Sequence, residues 1–87
     1  MAQVFIPPQL RDLTRGAARV QAAGPTVREV IAALEIAYPG IAARLCPNGE
    51  LNPALQVSID DQMSGRGLRA QVRSDSELHF LPVLGGG

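Results

Sequence analysis

The chain ends with three consecutive glycines, Gly85, Gly86 and Gly87, which come directly after the apolar run 80–84. Glycine has no side chain to pack and loses more conformational freedom on ordering than any other residue, so these three do not serve a hydrophobic core. On composition alone, two interpretations of this ending remain open. It is a frayed terminus or a cloning remnant, or its terminal carboxyl group is itself recognised or reactive.

A reactive carboxyl group at Gly87 would need activation. A free α-carboxyl group has a pKa of about 3.3–3.7, so at neutral pH it is an anion and a poor electrophile. Adenylation would supply a leaving group. Glycine suits this chemistry because no Cβ crowds the acyl carbon, and three glycines at up to about 3.6 Å each reach roughly 10 Å beyond Leu84. An extended tail can also pair as an added strand in a partner's groove.

Other residues with reactive side chains are few. Cys46 is the only cysteine, which excludes an internal disulfide, and no base can be identified beside it, so we expect an incidental thiol. His79 is the only histidine, so we expect no zinc site. No nucleophile-elbow pattern supports a hydrolase triad. All eight basic residues are arginine, so no side-chain amine on this chain is available for isopeptide bonds.

Size and composition indicate one small domain of 87 residues. The net charge is zero, which gives no basic footprint for nucleic acid. No stretch approaches the roughly 20 apolar residues of a membrane span, and no signal-peptide pattern is present. We therefore expect neither a nucleic-acid nor a membrane partner, and a cytoplasmic location fits the single cysteine.

The strongest helix signal runs from Thr26 to Tyr38. Thr26 is a suitable N-cap and Glu29 comes three residues later, which predicts a capping box. Positions i, i+3, i+4, i+7 and i+11 form one apolar stripe: Val27, Val30, Ile31, Leu34 and Tyr38. Pro39 and Gly40 predict the end of this helix, and residues 41–45 one further short turn.

Alternation of apolar and polar residues predicts the strands. They are Gln3–Ile6, Arg19–Ala23, Leu55–Ile59 and a last strand around Leu78–Leu81, with a weaker candidate for an edge strand or turn at Leu68–Val72. Residues 9–18 and 60–67 are predicted loops.

These elements predict a fold. A lone amphipathic helix needs a sheet to cover its stripe. Parallel pairing of the first and last strands requires a long crossover, which the helix provides. We predict an α+β fold of the ubiquitin-like β-grasp type, with a mixed four- to five-stranded sheet around one main helix. Residues 1–84 would form this domain and residues 85–87 a flexible glycine tail.

Nearly the whole chain resembles the ThiS/MoaD family of ubiquitin-like sulfur carriers. The resemblance rests on the capped helix ending at Tyr38-Pro39-Gly40-Ile41, on Arg44-Leu45, on Val57-Ser58-Ile59, and on the ending, which looks like the family's Phe-Leu-Pro-x-x-x-Gly-Gly. The segment Ile6-Pro7-Pro8-Gln9-Leu10-Arg11 and its long loop resemble the subset that carries sulfur for cysteine biosynthesis in actinobacteria.

One segment departs from the family pattern. After the middle strand the family usually has an Asn and then an Asp-(Ile/Val)-Arg hairpin, whereas residues 60–66 here are shorter and lack that motif. This departure bears on the subfamily and on any partner that contacts the loop.

The resemblance implies a reaction cycle at Gly87, with Gly85 and Gly86 as the flexible segment that extends Gly87 into the partner's site. A ubiquitin-activating-type enzyme uses ATP to adenylate the Gly87 carboxylate, a sulfur donor displaces AMP to leave a thiocarboxylate, and a sulfur-accepting synthase consumes the sulfur. The chain would bind no cofactor of its own and would be a co-substrate rather than an enzyme.

Strand alternation also predicts a docking patch. If Val4, Ile6, Leu78 and Phe80 face the helix, then Phe5, His79 and Leu81 face away and cluster beside the tail. We assign Val83 and Leu84, which lead into the tail, to the same partner-binding surface. The alternative is scattered surface apolar residues, or burial by loops.

Several products of the sulfur chemistry remain open. Cysteine formation is favoured over the molybdenum cofactor and thiazole. A ubiquitin-like modifier joined through Gly87 to lysines of other proteins is a second class, and the small subunit of molybdopterin synthase is a third.

Overall fold

The computed structural model describes residues 1–83. Over these residues the chain forms five strands and two helices: β1 (Ala2–Phe5), β2 (Arg19–Ala22), α1 (Val27–Ala37), α2 (Ile41–Leu45), β3 (Leu55–Ile59), β4 (Gln62–Met63) and β5 (Glu77–Pro82). Short 3₁₀ turns lie at Pro8–Leu10 and Gly67–Arg69. Leu84 and the predicted glycine tail 85–87 lie outside the described residues.

The strands of residues 1–83 form one mixed sheet in the order β2-β1-β5-β3-β4. β1 and β5 are parallel, with Phe5 opposite His79, and the other neighbouring pairs are antiparallel. The predicted pairing of the first and last strands is confirmed, and with it the β-grasp arrangement. β5 therefore lies in the middle of the sheet, with hydrogen-bonded neighbours on both sides.

Helix α1 begins at its predicted cap. The Thr26 hydroxyl accepts the backbone N–H of Glu29 at 3.4 Å and donates to the Glu29 carboxylate at 2.9 Å. In a standard capping box that carboxylate would accept the backbone N–H of the cap residue instead. The predicted stripe is confirmed, since Val27, Val30, Ile31 and Leu34 are buried and Tyr38 is half-buried.

The junction between the two helices depends on one carboxylate. Gly40 adopts φ 102°, a left-handed conformation that favours glycine and reverses the chain before α2. The Glu35 carboxylate on α1 accepts the backbone N–H groups of Gly40 at 3.1 Å and Ala42 at 2.9 Å. It thereby satisfies donors at the start of α2 that have no intrahelical partner. These bonds, the Ala42 bond foremost, lower the pKa of Glu35 below its ordinary value of 4.5.

The β3–β4 hairpin corrects the predicted loop over residues 60–67. Ile59 pairs with Gln62, so Asp60 and Asp61 form a two-residue turn with φ 52° and 69°. Positive φ at both central residues is the type I′ geometry that suits the twist of a hairpin. Asp60 also holds the turn before β5, because its carboxylate accepts bonds from the Glu77 N–H and the Ser76 hydroxyl, both at 3.0 Å.

Of the two predictions for Leu68–Val72, the turn is confirmed and the edge strand is wrong. This segment contains the 3₁₀ turn Gly67–Arg69, and Gln71 makes a single antiparallel bridge to Thr26. Leu68, Ala70 and Val72 are nevertheless buried. The alternation therefore reflects burial against the start of α1 rather than membership of the sheet.

The hydrophobic core lies between the inner face of the sheet and the helices. Val4, Val57, Leu78 and Phe80 line the sheet side, and Ile41 and Leu45 of α2 contribute from the helix side. No helix within residues 1–83 has both the length and the apolar character needed to cross a membrane.

The Glu35 bonds predict an acid-dependent loss of stability. Because folding lowers this pKa, the contribution is fully present above pH 4.5, the ordinary value, and is lost as the pH falls through the lower value of the folded state. Glu35→Gln should therefore lower the urea unfolding midpoint more at pH 7 than at pH 3. Glu50→Gln, at an exposed position, controls for the change in net charge. Equal lowering at both pH values would contradict the prediction.

Candidate functional site

The root of the predicted tail is firmly positioned. Leu55 of β3 pairs with Pro82, and the N–H of Val83 donates to the carbonyl of Ala54 at 2.9 Å. The Gln56 side chain donates to the Pro82 carbonyl at 3.5 Å. The central strand β5 therefore holds the chain up to Val83. The roles predicted for Leu84, Gly85, Gly86 and Gly87 concern residues outside the described range and stay predictions.

The face of the sheet opposite the helices carries one row of side chains that crosses every strand of the described sheet. The pairings join Arg19 to Phe5, Phe5 to His79, His79 to Ser58, and Ser58 to Met63. We call Arg19, Phe5, His79, Ser58 and Met63 the outer row. On β5, the outer row is represented by His79, and Leu81 is the next residue on the same face in the direction of the tail.

Phe5 and His79 form the centre of the outer row. Their rings stack with centroids 4.0 Å apart and planes 7° from parallel. The Arg19 guanidinium carbon lies 5.8 Å from the Phe5 ring centroid, within the range of a cation–π contact. Both rings are half-buried. The predicted clustering of these two residues is thus present in the structure, although their role in docking is a separate matter.

The predicted patch continues along the last strand. Leu81 lies on the same face as His79 and is 38% exposed, and Val83, just after the strand, is 41% exposed. These are large apolar side chains in water next to the tail root. Such an arrangement suits a protein contact, because burying them on a partner removes apolar surface from water.

Sequence patterns alone miss two members of the outer row. Met63 falls in a predicted loop, yet it lies on β4 and is 52% exposed. Arg19 is predicted only as the start of a strand. Two consecutive aspartates between alternating segments are the signal that would place Met63 in a hairpin.

Within residues 1–83, the structure brings no set of reactive side chains together as a catalytic site. Burial is the main cause that raises the pKa of the half-buried Cys46 thiol, which keeps it protonated and weakly nucleophilic at neutral pH. His79 is stacked on Phe5. Among residues 1–83, no three His, Cys, Asp or Glu side chains gather closely enough to hold a metal ion.

Comparisons with known proteins agree with this geometry. The ThiS family model matches residues 4–87. The sulfur carrier protein CysO of Mycobacterium tuberculosis is 36% identical over 90 residues, which cover 97% of this chain and 96% of CysO. The same protein from Mycobacterium bovis matches to the same extent.

Solved structures give the same result. A chain of the Amycolatopsis orientalis BexX/CysO complex superposes with a TM-score of 0.88 and 38% identity, over 100% of both chains. Crystalline CysO of Mycobacterium tuberculosis gives 0.89 and 31%, over 97% of this chain and 100% of CysO. The small archaeal modifier protein 1 of Methanosarcina acetivorans gives 0.79 at 21% identity, over 99% of this chain and 95% of the modifier, which shows a shared fold alone.

The ring stack predicts energetic coupling between Phe5 and His79. A double-mutant cycle with Phe5→Ala and His79→Ala, read as the free energy of unfolding, should give a coupling of about 0.5–1.5 kcal/mol because aromatic pairs contribute beyond their buried area. The matched control is Gln3 and Glu77, which pair in the same register on the same strands without rings. A Phe5–His79 coupling no larger than the control would contradict the stack's contribution.

Proposed function

Because the chain belongs to the ThiS family, we propose that it is a sulfur carrier whose Gly87 carboxyl group is converted to a thiocarboxylate. The observation that carries this proposal is its end-to-end similarity to the sulfur carrier CysO. The same similarity, together with the segment 6–11, favours cysteine biosynthesis as the pathway. We place the reaction in the cytoplasm, where ATP is available to the activating enzyme.

The proposed chemistry takes place on one carbon. A Gly87 carboxylate oxygen attacks the α-phosphorus of ATP on an adenylating enzyme, which releases pyrophosphate and leaves an acyl-adenylate. A sulfide-level nucleophile then attacks the acyl carbon, its sulfur forms the C–S bond, and AMP departs with the C–O electron pair. A second enzyme transfers the sulfur to its acceptor. The enzymes supply the catalytic groups, and this chain is their protein substrate.

This chain contributes to the reaction by presenting its C-terminal carboxyl group to the enzymes. β5 lies between β1 and β3 as far as His79 and pairs with β3 as far as Pro82, so the point where the tail leaves the domain is held in place. Glycines at residues 85–87 place no Cβ beside the reacting carbon. Because the end of β5 is held in place and the glycines that follow have no side chains, an enzyme can accept the C-terminus into a closed nucleotide site. The solved complex of BexX with CysO supports a carrier that docks as a folded domain, and we extend that to this chain.

Docking on the adenylating enzyme is assigned to Phe5, His79, Leu81 and Val83, with Leu84 continuing toward the tail. The support is their position beside the root, together with the exposure of Leu81 and Val83. Met63 extends the same face toward β4. An apolar surface here lets the enzyme recognise the folded domain, whereas a glycine tail by itself offers few side-chain contacts.

Intact-mass measurement tests the proposed function. With the adenylating enzyme, ATP and sulfide, the chain should gain about 16 Da as one carboxylate oxygen is replaced by sulfur. Deletion of Gly87 should abolish the gain because the acyl carbon falls one residue short, whereas Gly85→Ala keeps both the length and the terminal diglycine and should retain it.

Other outcomes of this experiment would overturn the proposal. A mass gain that survives deletion of Gly87 would remove that residue from the chemistry. Adducts through Gly87 on lysines of other proteins would indicate a protein modifier. Stable co-purification with a larger subunit would indicate a molybdopterin-synthase type of assembly.

The docking patch has its own test. Phe5→Ala combined with Leu81→Ala should leave the fold intact by circular dichroism and raise the KM of the adenylating enzyme for the carrier by roughly tenfold or more, which corresponds to about 1.4 kcal/mol of lost contact. Gln3→Ala combined with Gln21→Ala changes polar residues of the same face and should leave KM near wild type. An unchanged KM in the Phe5/Leu81 variant would exclude the patch as the docking surface.

A further inference from the structure

A cleft lies on the other side of the tail root from the docking patch. It has a volume of about 190 Å³ and is lined by Gln9, Leu10, Arg44, Asn52, Leu55 and Pro82. We call it the root cleft. Pro82 and Leu81 are consecutive and point to opposite faces of β5, so the root cleft and the docking patch flank the same short piece of chain.

The walls of the root cleft are held together by Asn52. Its backbone N–H donates to the Leu45 carbonyl at 2.8 Å and its side-chain amide donates to the Arg44 carbonyl at 3.3 Å. Its side-chain oxygen accepts the Ala54 N–H at 2.9 Å. The Ala54 carbonyl in turn accepts the Val83 N–H. One chain of hydrogen bonds thus connects the end of α2 to the last described residue of the tail root.

The interior of the root cleft is apolar and its rim is cationic. Leu10 and Leu55 are buried side chains of the core that form its floor, next to Pro82. Arg44 is exposed, and its guanidinium makes a long 3.5 Å bond to the Gln9 carbonyl. Among residues 1–83, no acidic side chain lies within 4.0 Å of it. Arginine keeps its charge at any physiological pH, and among residues 1–83 Arg44 has no ion-pair partner, as holds for the other arginines except Arg73; Arg44 differs from them in standing at the rim of the cleft beside Pro82.

Other charged residues near the two ends of β5 give the setting of Arg44. At the tail end, Arg11 donates to the Ile6 carbonyl at 3.1 Å and Arg19 lies over Phe5, so both stand near Arg44's end of the strand. Asp12 and Glu50 are acidic residues of the neighbouring loops, and the Glu35 carboxylate is occupied by backbone N–H groups. The opposite end of β5 is of mixed charge: Asp60, Asp61, Asp75 and Glu77 lie there with Arg66 and Arg73, and Arg73 pairs with Asp60 at 3.4 Å.

The length of the tail decides which kind of group meets Arg44. Gly87 is four residues beyond Val83, a span of up to about 14 Å at roughly 3.6 Å per residue. A nucleotide that reacts at the Gly87 carbon therefore lies well ahead of the tail root. Arg44 stands beside that root, where the rim of the receiving protein would be. Its counter-charge is accordingly expected from a protein side chain rather than from ATP.

We propose that the root cleft binds an aspartate or glutamate side chain of the adenylating enzyme, with the carboxylate on Arg44 and the stem against Leu55 and Pro82. This inference rests on the proposed function for the identity of the partner. The enzyme would then hold the tail root from both sides, through apolar contacts on the docking patch and an ion pair on the root cleft. The two contacts differ in their response to salt, because screening weakens an exposed ion pair much more than apolar burial.

Binding at two salt concentrations separates the two contacts. Calorimetry of the full chain with the adenylating enzyme should show Arg44→Gln binding about tenfold more weakly than wild type near 0.1 M salt, and the difference should shrink near 1 M salt, where the Debye length falls from about 10 Å to about 3 Å. Arg69→Gln, an exposed arginine outside the cleft, should bind as wild type. Equal binding by Arg44→Gln and wild type near 0.1 M salt would overturn the proposal.

The absence of lysine from this chain permits a direct test of the contact. Arg44→Lys retains the charge and introduces one side-chain amine, which a carbodiimide would join to an adjacent carboxylate as an amide with loss of water. Peptide mass spectrometry should locate the cross-link on an Asp or Glu of the adenylating enzyme. A cross-link to Gly87 of the same chain, or an equal yield from Arg69→Lys, would overturn the proposal.

The outcomes distinguish this inference from the proposed function. If the wild type gains about 16 Da in the mass assay of the terminal carboxylate but Arg44→Gln binds normally, the cleft proposal fails and the sulfur-carrier proposal stands. If the wild type binds with the expected Arg44 dependence but never gains that mass, the reverse holds. If the wild type does not bind the adenylating enzyme at all, both are wrong.

Discussion

Parallel pairing between β1 and β5 places the last strand of the chain in the middle of the sheet, beside the first. Residues 77–79 of this strand are paired on both sides, and β3 with Ala54 holds the strand onward to Val83, so its C-terminal end is fixed within the domain. The cost of the arrangement is a long crossover, because parallel neighbours cannot be joined by a tight turn. Helix α1 and its burial on the inner face of the sheet offset that cost. The outer row, the docking patch and the root cleft all take their positions from β5.

Two carboxylates stabilise the reversals of chain direction that surround this central pair. Glu35 binds the N–H groups at the start of α2, and Asp60 binds the backbone and the hydroxyl at the start of β5. Backbone N–H groups exposed at such reversals need acceptors, and an ionised carboxylate is a strong one. The Glu77 N–H is the main cause that lowers the pKa of Asp60, with Ser76 and Arg73 adding to it. Each carboxylate thus joins elements that are separate in the sequence.

In the proposed function the enzymes carry out catalysis and this chain presents its terminus, and the structure of the described domain is consistent with that role. The described domain has a packed core, a half-buried thiol and a histidine engaged in a ring stack, and these side chains do not converge on a reacting atom. Its distinctive surfaces instead flank the root of the tail, one apolar and one cationic. Under the proposed function, these surfaces serve to present the chain's own terminus to an enzyme. Membership of the ThiS family and similarity to CysO agree with that role.

Local signals in the sequence determined the capped helix, the alternating strands and the β-grasp arrangement, because helix capping and side-chain periodicity depend on neighbouring residues. The clustering of Phe5 with His79 was also predictable once the first and last strands were paired. The same alternation left an edge strand and a turn both open at Leu68–Val72, where the structure has a turn and burial occurs without a sheet. Only the tertiary structure decided the rest. The Asp60–Asp61 turn sets the register that puts Met63 on the outer row, and chain reversal after α1 brings Arg44 beside Pro82. These relations join distant segments through turn geometry and specific hydrogen bonds, which periodicity along the sequence does not encode.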